Sequence, residues 1–181
     1  MQTFKIVVTI AVALFLQVLL SKFFSFFQYV DLSLVVTVYL SLQRSPVQGM
    51  LTGLAAGLGS DAISGGILGV GGFTKTLIGY IISMASVRLS LENRLIQLAV
   101  AAVASLVNTV LFVALYQVLE QGQALEQVLP YTGSWEELGK VTGWKVIADT
   151  VAAIFVFAGL DRFFKEQTAA RRMAIKRRFY E

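Results

Sequence analysis

The 181-residue chain contains no cysteine and no histidine. Without cysteine there can be no disulfide, no thiolate nucleophile and no Cys-ligated zinc or iron–sulfur centre. Without histidine the commonest metal ligand and the usual base at neutral pH are missing, so acid–base work would fall to a perturbed carboxylate or lysine. Charge is scarce too: 14% of residues are charged, against about a quarter in an ordinary soluble domain. No catalytic residue, no metal site and no cofactor is expected. What fills the chain instead is apolar: 56% of residues are hydrophobic. The net charge of +4 could suggest nucleic acid, but seven of the fifteen Lys and Arg fall between Arg162 and Arg178, directly after an apolar run. That placement is the pattern of a cytoplasmic membrane flank, and no nucleic-acid partner is expected.

A membrane-spanning helix needs about 20 predominantly apolar residues. The hydrophobic pattern predicts an all-α integral membrane protein with about six transmembrane helices in one bundle, over residues 5–22, 27–43, 46–61, 68–87, 95–119 and 143–163. The bundle is expected to occupy residues 1–164, and a basic tail residues 165–181. The first run could also be a signal peptide, but no small-residue cleavage site precedes a polar start and further spans follow. The run after Asp31 is short, so the second helix is expected to begin before that residue. Pro46 suits the first turn of the third, where its missing N–H costs nothing. An N-terminus inside puts Lys5, Arg44, the loop with Arg88 and Arg94, and the tail in the cytoplasm, leaving the acidic stretch from Glu120 to Lys140 outside.

Close packing in lipid relies on small residues. Gly49, Gly53 and Gly57 recur every four residues and are expected to form a helix-packing face on the third span. Ala101, Ser105 and Thr109, with Asn108 nearby, repeat the theme in the fifth, and Thr9, Ala13, Gln17 and Ser21 form a stripe in the first. A glycine cluster from Gly65 to Gly72 lacks the spacing of a phosphate-binding loop, and reads as a tight connection. Three ionisable residues fall within or at the ends of spans: Asp61, Lys75 and Asp149. Such groups are costly unless paired or hydrated. Lys75 could pair with Asp149 or Asp61, either as an interhelical clamp or as the wall of a polar cavity.

The stretch from Ser45 to Ser86 resembles the MreD family, a small membrane subunit of the bacterial rod-shape apparatus. The resemblance rests on Pro46 opening a helix, the run GMLTGLAAG from Gly49 to Gly57, and GSDAISG from Gly59 to Gly65, which is similar to the family's GLLxDxxSG signature. Gly69 to Tyr80 looks like the helix that follows it. The resemblance implies a non-enzymatic subunit of the bacterial inner membrane that binds MreC and supports peptidoglycan side-wall synthesis. MreB, RodA and a class B penicillin-binding protein would complete the wider complex. It also implies a bundle similar to the substrate-binding subunits of energy-coupling-factor vitamin transporters. That similarity supplies the rival function, a vitamin-binding subunit. Against it, the Ala-x-x-x-Ala docking motif of those subunits is missing from the first helix, where Ala11 is followed four residues on by Phe15 and Ala13 by Gln17.

Two regions offer partner contacts. The acidic stretch from Glu120 to Lys140 could meet MreC or serve only as a connector. Arg171, Arg172, Lys176, Arg177 and Arg178 could bind anionic lipid, with filament contact as the sharper alternative.

Overall fold

The computed structural model describes residues 2–23, 29–43, 45–65, 67–88, 93–120 and 135–163. Six helices succeed one another: α1 (Gln2–Phe23), α2 (Leu32–Gln43), α3 (Pro46–Ser64), α4 (Val70–Arg88), α5 (Arg94–Glu120) and α6 (Trp135–Phe163). No strand occurs among the described residues. Four helices contain segments long and apolar enough to cross a membrane: Phe4–Phe23, Val70–Arg88, Arg94–Leu115 and Gly139–Arg162. The expected tail residues Arg171, Arg172, Lys176, Arg177 and Arg178 lie outside the described residues, as does most of the acidic stretch.

α2 is the centre of the bundle. Every residue from Leu32 to Leu42 is buried, and α1, α3, α4, α5 and α6 all pack on it. Its 12 residues reach only about 18 Å at 1.5 Å per residue, well short of a hydrocarbon core of about 30 Å. A helix that short can sit at membrane depth because its neighbours, not lipid, surround it. The sequence expectation that it begins before Asp31 is corrected. The helix starts at Leu32 because the Asp31 carboxylate accepts the backbone N–H of Leu34 at 3.0 Å and the Ser33 hydroxyl at 2.7 Å. A side-chain acceptor three residues ahead of the N–H it satisfies is an N-cap, and it fixes where helical geometry begins.

α3 and α4 form an antiparallel hairpin. Ser45 is extended, as a residue before proline prefers, and Pro46 occupies the first turn. Gly65 closes α3 in the left-handed region at φ 69°, where a glycine carries no Cβ penalty. The hairpin interface is backbone against backbone. A Cβ added to Gly53 would lie 2.6 Å from the Lys75 carbonyl carbon and 2.9 Å from the Thr76 nitrogen. One added to Gly57 would lie 2.5 Å from the Gly72 Cα. Gly49 meets Gly79 in the same way, 2.7 Å from its carbonyl oxygen. These glycines are buried because any side chain there would hold the two helices apart.

Small polar residues do the same work between α2 and α4. Ser83 donates to the Ser41 carbonyl at 2.8 Å and Ser86 to the Leu42 carbonyl at 2.7 Å. α5 and α6 form a second antiparallel hairpin that rests on α2 and α4. Phe157 of α6 packs against Tyr39 of α2 with the rings tilted by 51° and their centroids 5.3 Å apart, at the heart of the apolar core.

Candidate functional site

The described part of the bundle holds two polar assemblies, one near each end of α2. At its N-terminal end, Asp31 is the hub. One of its carboxylate oxygens caps α2, and the other lies 3.0 Å from the Lys75 ammonium. Lys75 is almost wholly buried, a turn and a half into α4. The Asp31 backbone N–H donates to Asp149 at 2.7 Å, and the second Asp149 oxygen accepts the Ser105 hydroxyl at 2.5 Å. Gln17 of α1 joins from the other side, accepting the Ser33 N–H at 3.3 Å. Lys145, one helical turn before Asp149, acts electrostatically on both carboxylates. Five helices therefore contribute to one cluster with two acids and two bases.

This layout corrects the pairing expected from sequence. Lys75 is bound to Asp31, and not to Asp149 or Asp61. Asp149 is near this pair but is satisfied by two neutral donors. Asp61 stands apart from the cluster. Its carboxylate accepts the N–H of Gly69 at 2.8 Å and of Gly72 at 3.1 Å. It thereby caps α4 from the end of α3, satisfying donors that a helix start leaves unpaired. The reason is geometric: a glycine at position 71 lets the carboxylate pass where a Cβ would lie 3.1 Å from its carbon.

At the opposite end of α2, the Tyr39 hydroxyl donates to Asp161 at 2.8 Å, and Arg94 pairs with the same carboxylate. Arg94 opens α5 and Asp161 lies near the close of α6, so this pair joins the two ends of that hairpin to α2. Sequence reading missed Asp31, Tyr39 and Asp161 as site members. For Asp31 a signal existed, since an aspartate immediately before an apolar helical run is an N-cap pattern.

Chemically, each carboxylate at the two assemblies is met by at least two donors, from backbone, hydroxyl or cation. Such an arrangement ties helices together. Among the described residues no group of three or more acidic, histidine or cysteine side chains is placed to hold a metal ion. Asn108 Oδ1 and Ser41 Oγ are buried without a hydrogen-bond partner.

A family model described as rod shape-determining protein MreD matches residues 1–157 of the chain. The chain belongs to the MreD family. It is thus a rod shape-determining membrane protein, and its long apolar helices suit a transmembrane one. The matched range takes in Asp31, Asp61, Lys75 and Asp149 and ends before Asp161. No characterised protein and no solved structure matches the chain.

Proposed function

We propose that the protein is a non-enzymatic, multi-pass subunit of the bacterial inner membrane that binds MreC and supports side-wall peptidoglycan synthesis. The observation that carries this reading is membership of the MreD family over residues 1–157. MreB, RodA and a class B penicillin-binding protein complete the complex in this reading. Six crossings with both termini in the cytoplasm agree with the Lys and Arg bias of the sequence. α2 then crosses as the inner helix, enclosed by its neighbours, while α3 keeps an apolar outer face with Val47, Leu51 and Leu54 exposed. Likeness of the bundle to vitamin-transporter substrate subunits is part of the same reading.

Gly49, Gly53 and Gly57 serve in this reading as the packing face that builds the scaffold, and Asp61, Lys75 and Asp149 as polar clamps within it. The basic residues Arg171, Arg172, Lys176, Arg177 and Arg178 hold the tail to anionic lipid. The test is affinity purification of the tagged protein from its own membranes in mild detergent, with the co-purifying proteins identified by mass spectrometry. Stoichiometric MreC is the expected result. Recovery of an ABC-type ATPase with its coupling membrane subunit, and no MreC, overturns the reading.

A further inference from the structure

α4 is committed on two sides. Gly79 lies against the α3 backbone, and Ser83 and Ser86 donate to carbonyls of α2. Toward α5 it offers Ile78, Ile82 and Ala85, and α5 answers with Ile96, Ala99 and Val103. The short side chains of Ala85 and Ala99 leave the seam unfilled, and an open apolar groove of about 370 Å³ runs along it. Ile78 and Ile82 are buried at its floor, whereas Ile81 and Val103 stand exposed at its rims, so the groove opens sideways out of the bundle.

The length of the groove and the charge at its end fit one occupant. From Ile96 to Val107 it covers about 16 Å at 1.5 Å per residue, close to the depth of one leaflet in a hydrocarbon core of about 30 Å. On α4 the stripe of Ile81 and Ala85 continues at helical spacing to Arg88, the last residue of the helix. Arg88 is exposed and makes no ion pair among the described residues, whereas Arg94 at the start of α5 is already paired with Asp161. An apolar slot one leaflet deep, with an unneutralised guanidinium at its end, is complementary to an acyl chain below a phosphate. A headgroup that brings no ammonium of its own to lie beside the arginine fits best. We propose that the groove between α4 and α5 binds one anionic phospholipid, its phosphate on Arg88 and an acyl chain between Ala85 and Ala99. Under the orientation proposed above, that lipid belongs to the cytoplasmic leaflet.

The full-length protein is placed in nanodiscs doped with phosphatidylglycerol or phosphatidylethanolamine that carries a diazirine in one acyl chain. After photolysis the adducts are mapped by mass spectrometry. Phosphatidylglycerol adducts should concentrate on residues 78–85 and 96–107, several-fold above phosphatidylethanolamine adducts there. They should also exceed those on the exposed Leu54 and Phe155, which report bulk lipid. Arg88→Gln should lower the groove adducts by about fivefold, the loss of one cation near a membrane surface. Ala99→Leu fills the groove without changing charge and should lower them too, whereas lipid held by the basic tail does not respond to it. Both residues are exposed, so neither substitution disturbs the core. Groove labelling no higher than at Leu54 and Phe155, equal for the two headgroups, or insensitive to Arg88→Gln overturns the proposal. Nanodiscs present both leaflets, so the outcome depends neither on the orientation nor on MreC.

Discussion

Asp31 caps its own helix with one carboxylate oxygen and holds the Lys75 ammonium, 3.0 Å away, with the other. The two side chains are almost completely removed from solvent, so each charge is supported mainly by its partner. Removing one member leaves an uncompensated buried charge, at a cost of about 3–5 kcal/mol, whereas removing both can be nearly neutral.

Lys75→Met should therefore lower the thermal stability of the detergent-solubilised protein sharply. Combining it with Asp31→Asn should restore much of the loss, because asparagine still caps α2 and carries no charge. Thermal melting of the wild type, both single variants and the double variant gives the coupling directly. Additive losses would mean that the two residues do not act as a unit.

Glycine-to-alanine exchange separates packing from helix propensity. At Gly53 the new methyl would collide with α4 backbone, so Gly53→Ala should destabilise by about 1–3 kcal/mol. At Gly143, inside α6, a Cβ meets nothing within 4 Å, and Gly143→Ala should stabilise by about 0.5–1 kcal/mol through helix propensity alone. Equal effects at the two sites, in the same melting assay, would remove the close-packing account of α3 and α4.

The helices and the glycine face were legible because they are local. A long uncharged run, a proline at a helix start and glycines four residues apart each carry their meaning in a few consecutive residues. The partner of Lys75 was not. Asp31, Asp61 and Asp149 are chemically alike in sequence, and choosing among them depends on which helix ends share a level in the bundle. Asp61 was also drawn away by its own neighbours, the N–H groups of Gly69 and Gly72. The centrality of α2 was hidden by its shortness, since a 12-residue apolar run reads as an incomplete span until its neighbours are known to enclose it.

Capping across a loop makes a graded prediction at Asp61. Asp61→Ala removes the acceptor for Gly69 and Gly72 and should cost about 0.5–2 kcal/mol. Asp61→Asn keeps a side-chain oxygen there and should cost clearly less. Hydrogen exchange at the first turn of α4 gives a local reading, with faster exchange expected in the alanine variant. Exchange unchanged at Gly72 in both would show that the carboxylate does not cap α4.

Tyr39 holds Phe157 through its ring and Asp161 through its hydroxyl, which Gln43 also bonds. Tyr39→Phe removes the hydroxyl's bonds and keeps the ring. Hydrogen bonds between membrane helices average about 0.6 kcal/mol, so the melting temperature should fall slightly. Arg94 remains to hold the Asp161 carboxylate. Tyr39→Ala removes the ring as well and leaves a cavity beside Phe157, at about 3–5 kcal/mol by analogy with truncation of large aromatic side chains. The ordering comes from burial, since Tyr39 is 2% exposed and Phe157 fully enclosed. If phenylalanine proved as damaging as alanine, the hydroxyl and not the ring would be what fixes α6 to the centre of the bundle.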